Sequence, residues 1–232
     1  MTDVLEREPQ PEQGAMRDLA KDPASRKRFF KMMGGAGAAS AFAVFLAACG
    51  DDDEGSAGGT TTAQQKKKEK KAAGGDLEIV QYALTLEHLE TDFYNAVLDS
   101  GVIKDAKLGK VATAIRDNEQ EHVDALTATV EKLGGKPQKP KTNFDAVIEG
   151  GAKMVLQTAA TVENLGAAAY LGQAGRIVSK EVLAAALAIH TVEARHAAAL
   201  NSVVGKTIVP DGAFAKPASM AEVLPQVKPF LA

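Results

Sequence analysis

The sequence predicts an all-α fold, a four-helix bundle with one long crossover between its second and third helices. Three observations carry this expectation. From Asp76 to Gly205 apolar residues recur in alternating steps of three and four, with almost no strand alternation. Capping residues and glycines divide that pattern into four segments. The connection from Gly134 to Phe144 contains Pro137 and Pro140, and when extended it spans about 36 Å, the length of a roughly 24-residue helix. It is long enough to cross the bundle end to end, whereas the other two connections are short and join antiparallel neighbours.

Residues 1–48 read as an export leader. Ser25-Arg-Lys-Arg-Phe-Phe-Lys31 is cationic, a Gly/Ala-rich apolar run too short to span a bilayer follows from Met32, and Leu46-Ala-Ala-Cys49 closes it. The segment resembles a bacterial lipoprotein signal, which implies acylation of Cys49 and anchorage to lipid on the outer side of the cytoplasmic membrane. It also resembles a twin-arginine leader, with Lys27 in place of the second arginine. Residues 49–75 lack large apolar side chains, cannot offset their ordering entropy by burial, and read as a flexible tether.

The first helical segment places Leu77, Val80, Leu84, Glu87, Thr91, Tyr94 and Leu98 on one stripe and stops at Gly101. The second starts at a capping Asp105 and carries Leu108, Ala112, Ile115, Glu119, His122, Leu126, Thr129 and Leu133 up to Gly134. On the third lie Ala152, Leu156, Ala159, Glu163, Gly166 and Tyr170. The fourth begins near Ser179 and carries Val182, Ala186, Ile189, Glu193, His196, Leu200 and Val203, with Gly205 as its stop. Residues 206–232 remain as a C-terminal tail.

Composition removes several functions. A net charge of −3 gives no electrostatic footprint for nucleic acid, since the one basic run, Lys66 to Lys71, is low-complexity and faces the acidic run Asp51 to Glu54. With a single cysteine, no disulfide or cysteine-rich metal site can form within the chain. Outside the leader no apolar window reaches the roughly 20 residues of a membrane span.

Each stripe faces the expected core, yet a glutamate interrupts every one at mid-length and two add a histidine. Buried unpaired carboxylates are costly, and a bound cation resolves them. The halves also repeat: Glu87 and Tyr94 match Glu163 and Tyr170, while Glu119-x-x-His122 matches Glu193-x-x-His196. Chance supplies roughly 0.3 Glu-x-x-His matches in such a chain. Positions i and i+3 share a helix face, so both side chains of each pair can reach one metal centre. Four carboxylates and two neutral imidazoles balance two divalent cations.

These motifs resemble the ferritin-like superfamily, in particular its exported bacterial members, over about residues 76–204. In that family one Glu from each of two helices and a Glu-x-x-His from each of the other two form a di-iron or di-manganese carboxylate site. The resemblance implies that Glu87 and Glu163 are terminal ligands, Glu119 and Glu193 bridge, and His122 and His196 each bind one metal. Tyr94 and Tyr170 would stand close to the site, either as phenols that support its ligands or as redox-active phenols. Phe214, Pro217, Val223 and Leu224 would form a C-terminal packing segment. Glu90, three residues from Glu87, and His88 remain alternative ligands, and His190 reads as a histidine satisfied away from the site.

Three classes of function follow: an oxidative di-iron protein or ferroxidase acting on O2 or peroxide, a di-manganese peroxide-disproportionating enzyme, and an anchored structural bundle. The expected cofactor is two iron ions, with manganese as the alternative. Expected partners are O2 or peroxide, membrane lipid through Cys49, and a second copy of the chain in a homodimer. An iron-storage cage conflicts with tying every subunit to a membrane.

Overall fold

The computed structural model describes residues 63–232, with side chains from Gly75 onward. The leader, Cys49 and residues 49–62 of the tether lie outside the described residues. Helix α1 is Ala63–Ser100, α2 Ala106–Lys132, α3 Asp145–Glu149, α4 Gly151–Ala174, α5 Lys180–Val203 and α6 Met220–Val227, followed by a 3-10 turn Lys228–Phe230. Among the described residues the one extended pairing is a single antiparallel bridge between Thr142 and Leu231. The fold is an all-helical bundle, and no described helix is long and apolar enough to cross a membrane.

Helix α1 begins thirteen residues before Asp76, so its first turns fall in the stretch expected to be tether. The difference has a simple origin. Residues 63–73 are Ala, Gln, Lys and Glu, all good helix formers, and a shortage of apolar side chains argues against a packed core, not against a helix.

The other boundaries follow capping chemistry. Asp105 accepts the backbone N–H groups of Lys107 and Leu108 at 2.8 and 2.9 Å, satisfying donors that α2 leaves open. Ser179 accepts that of Val182 at the start of α5. Gly134 and Gly205 end α2 and α5 with φ of 82° and 75°, a region in which a side chain is strained.

Helices α1 and α2 pack as one hairpin and α4 and α5 as another. Residues 134–144 cross between them, as their length requires. Asp76, buried on α1, ties the hairpins at one end, where its carboxylate accepts the N–H groups of Val178 and Ser179 at 2.8 and 2.7 Å.

The C-terminal tail lies along the crossover and α4. The Asn143 N–H donates to the Phe230 carbonyl, that of Ala232 to the Lys141 carbonyl, and that of Ala218 to the Ala168 carbonyl. Val223 and Val227, one turn apart on α6, enter the core, and Phe144 joins Phe93 to Phe230 by ring contacts at 5.3 and 5.6 Å. Phe214 does not pack: it is 86% exposed, and Pro217 and Leu224 are exposed too. A short amphipathic helix buries one face, and Leu224 stands on the other.

Candidate metal centre

The six residues that break the apolar stripes meet in the bundle interior. Glu87, Glu119, Glu163 and Glu193 are fully buried, and His122 and His196 nearly so. Their donor atoms form two sets, Glu87/Glu119/His122/Glu193 and Glu119/Glu163/Glu193/His196, each with all its atoms within 4.8 Å of one another. Glu119 and Glu193 belong to both. Each helix supplies its part because the interrupting residue sits in the register of its apolar neighbours.

The carboxylates crowd each imidazole from several sides. His122 Nδ1 lies 2.8 Å from Glu119 Oε2, 3.1 Å from Glu87 Oε2 and 3.3 Å from Glu193 Oε1. His196 Nδ1 lies 2.8 Å from Glu119 Oε1 and 3.2 Å from Glu163 Oε2. One ring proton cannot satisfy three oxygens. Glu119 Oε1, Glu163 Oε2, both Glu193 oxygens and His196 Nδ1 have no hydrogen bond of acceptable geometry despite these separations. Lone pairs that converge without aligned protons are what a cation between them satisfies, and an all-oxygen-and-nitrogen donor set suits iron or manganese.

Electrostatics without a cation tell the same story. Burial pushes the Glu87 carboxyl up to about 7, against the pull of His122. Glu193 is raised well above the carboxylate range by burial and by Glu119 and Glu87, and Glu163 is raised by burial. Glu119 is the exception: burial opposes its ionisation, but the hydrogen bond from His122 and the adjacent His196 imidazole outweigh that and hold it low. Burial also works against charging the imidazoles, yet their carboxylate neighbours lift His122 well above its ordinary value and His196 to about 9. Protons therefore occupy the cluster where cations would otherwise balance it.

The tyrosines behave differently from their spacing. Tyr94 donates to Glu163 Oε1 and Tyr170 to Glu87 Oε1, both at 2.5 Å. Each phenol thus holds the glutamate of the other half, not the one seven residues away on its own stripe. Burial, followed by the bonded carboxylate, raises both phenols well above their usual range, so they remain O–H donors.

Of the alternative ligands, Glu90 is buried beside the cluster but belongs to neither set. A Cβ at Gly166 would lie 2.8 Å from Glu193 Oε2 and 2.9 Å from Glu90 Oε1, so this glycine leaves the space that both carboxyls use. Burial and then Glu193 raise Glu90 well above its usual range. His88 is half-buried near Asp92 and Lys139 and takes no part. His190 Nδ1 meets the Ala167 carbonyl at 3.0 Å, away from the cluster.

Sequence reasoning missed Asn118, whose amide lies 3.0 Å from His196 Nε2. Its Nδ2 is the atom that faces the ring, so its N–H donates to Nε2 and the proton of a neutral ring sits on Nδ1, toward the carboxylates. No signal in the chain marks Asn118 out from other polar residues on an exposed helix face. Gly166 did carry a signal, since a mid-helix glycine costs about 1 kcal/mol relative to alanine and so has a packing reason.

A four-helix bundle whose interior gathers Glu and Glu-x-x-His from paired helices is compatible with a di-metal carboxylate site. Residues 75–206, more than half of the chain, match the family model described as a ferritin-like domain, and the chain belongs to that family. Comparison with curated proteins finds no match.

Proposed function

We propose that this is a di-metal carboxylate protein that holds two iron ions and consumes O2 or peroxide, as a ferroxidase or in defence against oxidants. The observation that carries the reading is the sharing of Glu119 and Glu193 between two otherwise separate four-residue sets. Glu87 and His122 would complete one metal's ligands, Glu163 and His196 the other's. Two ferrous ions held by these residues would supply two electrons for reduction of O2 or peroxide.

The chain's own contribution is positioning and proton control. Tyr170 and Tyr94 fix the terminal glutamates through Oε1, leaving Oε2 to face the histidines, and Asn118 fixes the His196 ring. His122 and His196 give up their protons as cations enter, so loading releases protons. Burial of all four carboxylates keeps bulk water from competing for the ligand positions.

Export and anchoring belong to the same proposal, supported by the basic flank, the short apolar run and Leu46-Ala-Ala-Cys49. A lipid on Cys49 would hold the bundle at the outer side of the cytoplasmic membrane. Cys49→Ala should then release the protein from membranes or stall its processing, whereas a mature protein with an intact, unmodified N-terminus would refute it.

The deciding experiment for the centre is elemental analysis of protein from its native host, followed by oxidant consumption. Two iron per chain and consumption of O2 or peroxide above that of free iron is the expected result. Manganese is the second reading, favoured by the same sulfur-free donor set. Manganese-loaded protein that evolves O2 from peroxide, with iron-loaded protein inert, would establish it. Inertness with both metals would leave a structural bundle.

A further inference from the structure

A cavity lies on one side of the cluster. Its wall is built by Ala83 and Leu86 of α1, Leu126 of α2, Tyr170 of α4, and Val182 and Ala186 of α5, among others. On every helix these residues lie toward the same end of the bundle from the buried glutamates, the end where Asp76 ties the hairpins. The cavity is narrow, with room for about one water-sized molecule, and it opens to solvent. Tyr170, one of its lining residues, donates its hydroxyl to Glu87.

The wall offers almost nothing to a polar visitor. Thr129 gives its hydroxyl to the Ala125 carbonyl, and Gln173 uses its amide oxygen on Arg176. Tyr170 is engaged with Glu87. The Tyr82 hydroxyl, buried without a partner, and the Gln173 side-chain N–H groups are the polar groups left on a wall that is otherwise apolar. A lining that is mostly apolar favours a small apolar guest over a polar one. Peroxide would find few hydrogen-bonding groups on this wall, whereas dioxygen needs none.

We infer that this cavity is a binding site for dioxygen and its route to the centre, with peroxide and cations entering elsewhere. The inference rests on the reaction proposed above. The half-buried Ala186 is the position at which the cavity can be closed with least disturbance to the core.

The test combines xenon-pressurised crystals of the full chain with stopped-flow oxidant consumption by the iron-loaded protein, in the wild type, Ala186→Leu and Ala186→Phe. Xenon should occupy the wild-type cavity between Leu126 and Val182 and be lost in Ala186→Phe. O2 consumption should slow in Ala186→Leu and slow further in Ala186→Phe, with peroxide consumption and the two-metal stoichiometry unchanged in both. Ala186→Leu, the smaller change, keeps the test decisive if the Phe variant fails to fold. An absence of xenon from the cavity overturns the inference, as do equal O2 rates in wild type and variants. The route failing alone shows as normal wild-type O2 consumption with unaffected variants. If the iron-loaded wild type consumes no O2 at all, the proposed reaction itself has failed and the route falls with it.

Discussion

Replacing Glu193 by leucine should make the metal-free protein more stable and the metal-loaded protein less so. Both Glu193 oxygens are buried without hydrogen-bond partners, and burial holds the group largely protonated. An unsatisfied buried polar group costs about 1–3 kcal/mol. Against this, His122 loses its most distant carboxylate, at 3.3 Å, while it keeps Glu119 at 2.8 Å and Glu87 at 3.1 Å. The missing side chain of Gly166 leaves room for the branched leucine. The net gain is about 1–2 kcal/mol, or roughly 2–8 °C in Tm for a chain of this size. With metal at about a hundred times its Kd the wild type gains about 2.7 kcal/mol. The variant, which lacks a donor common to both sets, should gain little. Differential scanning calorimetry after chelation, repeated with anaerobic ferrous iron, reads both effects. A metal-free Glu193→Leu protein that melts below the wild type, or one with the full metal-induced shift, would refute the reasoning.

Three further outcomes are expected. Stability of the metal-free protein should fall as pH rises: a histidine raised from 6.5 to about 9 stabilises fully below 6.5 and loses that contribution through about 9. Glu87, raised from 4.5 to about 7, acts in the same direction, fully below 4.5 and lost through about 7. Metal affinity should rise over the same window, because cations displace these protons, and isothermal titration in buffers of different ionisation heat measures the release. Tyr94→Phe should weaken the metal held with Glu163 and His196, and Tyr170→Phe the one held with Glu87 and His122, each by about 10- to 100-fold in a chelator competition; the reverse assignment would break the crossed pairing. Gly172→Ala would place a Cβ 1.9 Å from the Ala218 carbonyl oxygen, so the tail must move, at a cost of about 1–3 kcal/mol. Hydrogen exchange should then show lost protection in α6 with metal stoichiometry intact.

The four bundle helices were legible because burial imposes a period, and Glu87, Glu119, Glu163 and Glu193 were legible because they violate it. Their convergence on one point followed from the repeat and from the long crossover. The crossed tyrosine bonds were not legible. Spacing along one stripe places Tyr94 near Glu87, but a phenol reaches across the core, and the rotation between facing helices that brings it to Glu163 leaves no trace in a single helix's pattern. Asn118 was hidden for a similar reason, since its role depends on the neighbouring helix. Phe214 misled because apolar character alone does not say whether a loop residue turns inward. The early start of α1 escaped because helix propensity and core burial are independent, and residues 63–73 have the first without the second.

The exchange of tyrosines between halves has a consequence for how the centre comes into being. Packing is far denser within each hairpin than between them, so each can form from local contacts before the two meet. Neither could then hold a cation as the docked pair is expected to, because the phenol that steadies its terminal glutamate arrives with the other. Severing the chain between Gly134 and Phe144 would yield two fragments that are each half of a lock. Metal capture would become a bimolecular event, dependent on fragment concentration, and would report docking of the hairpins, not formation of the helices.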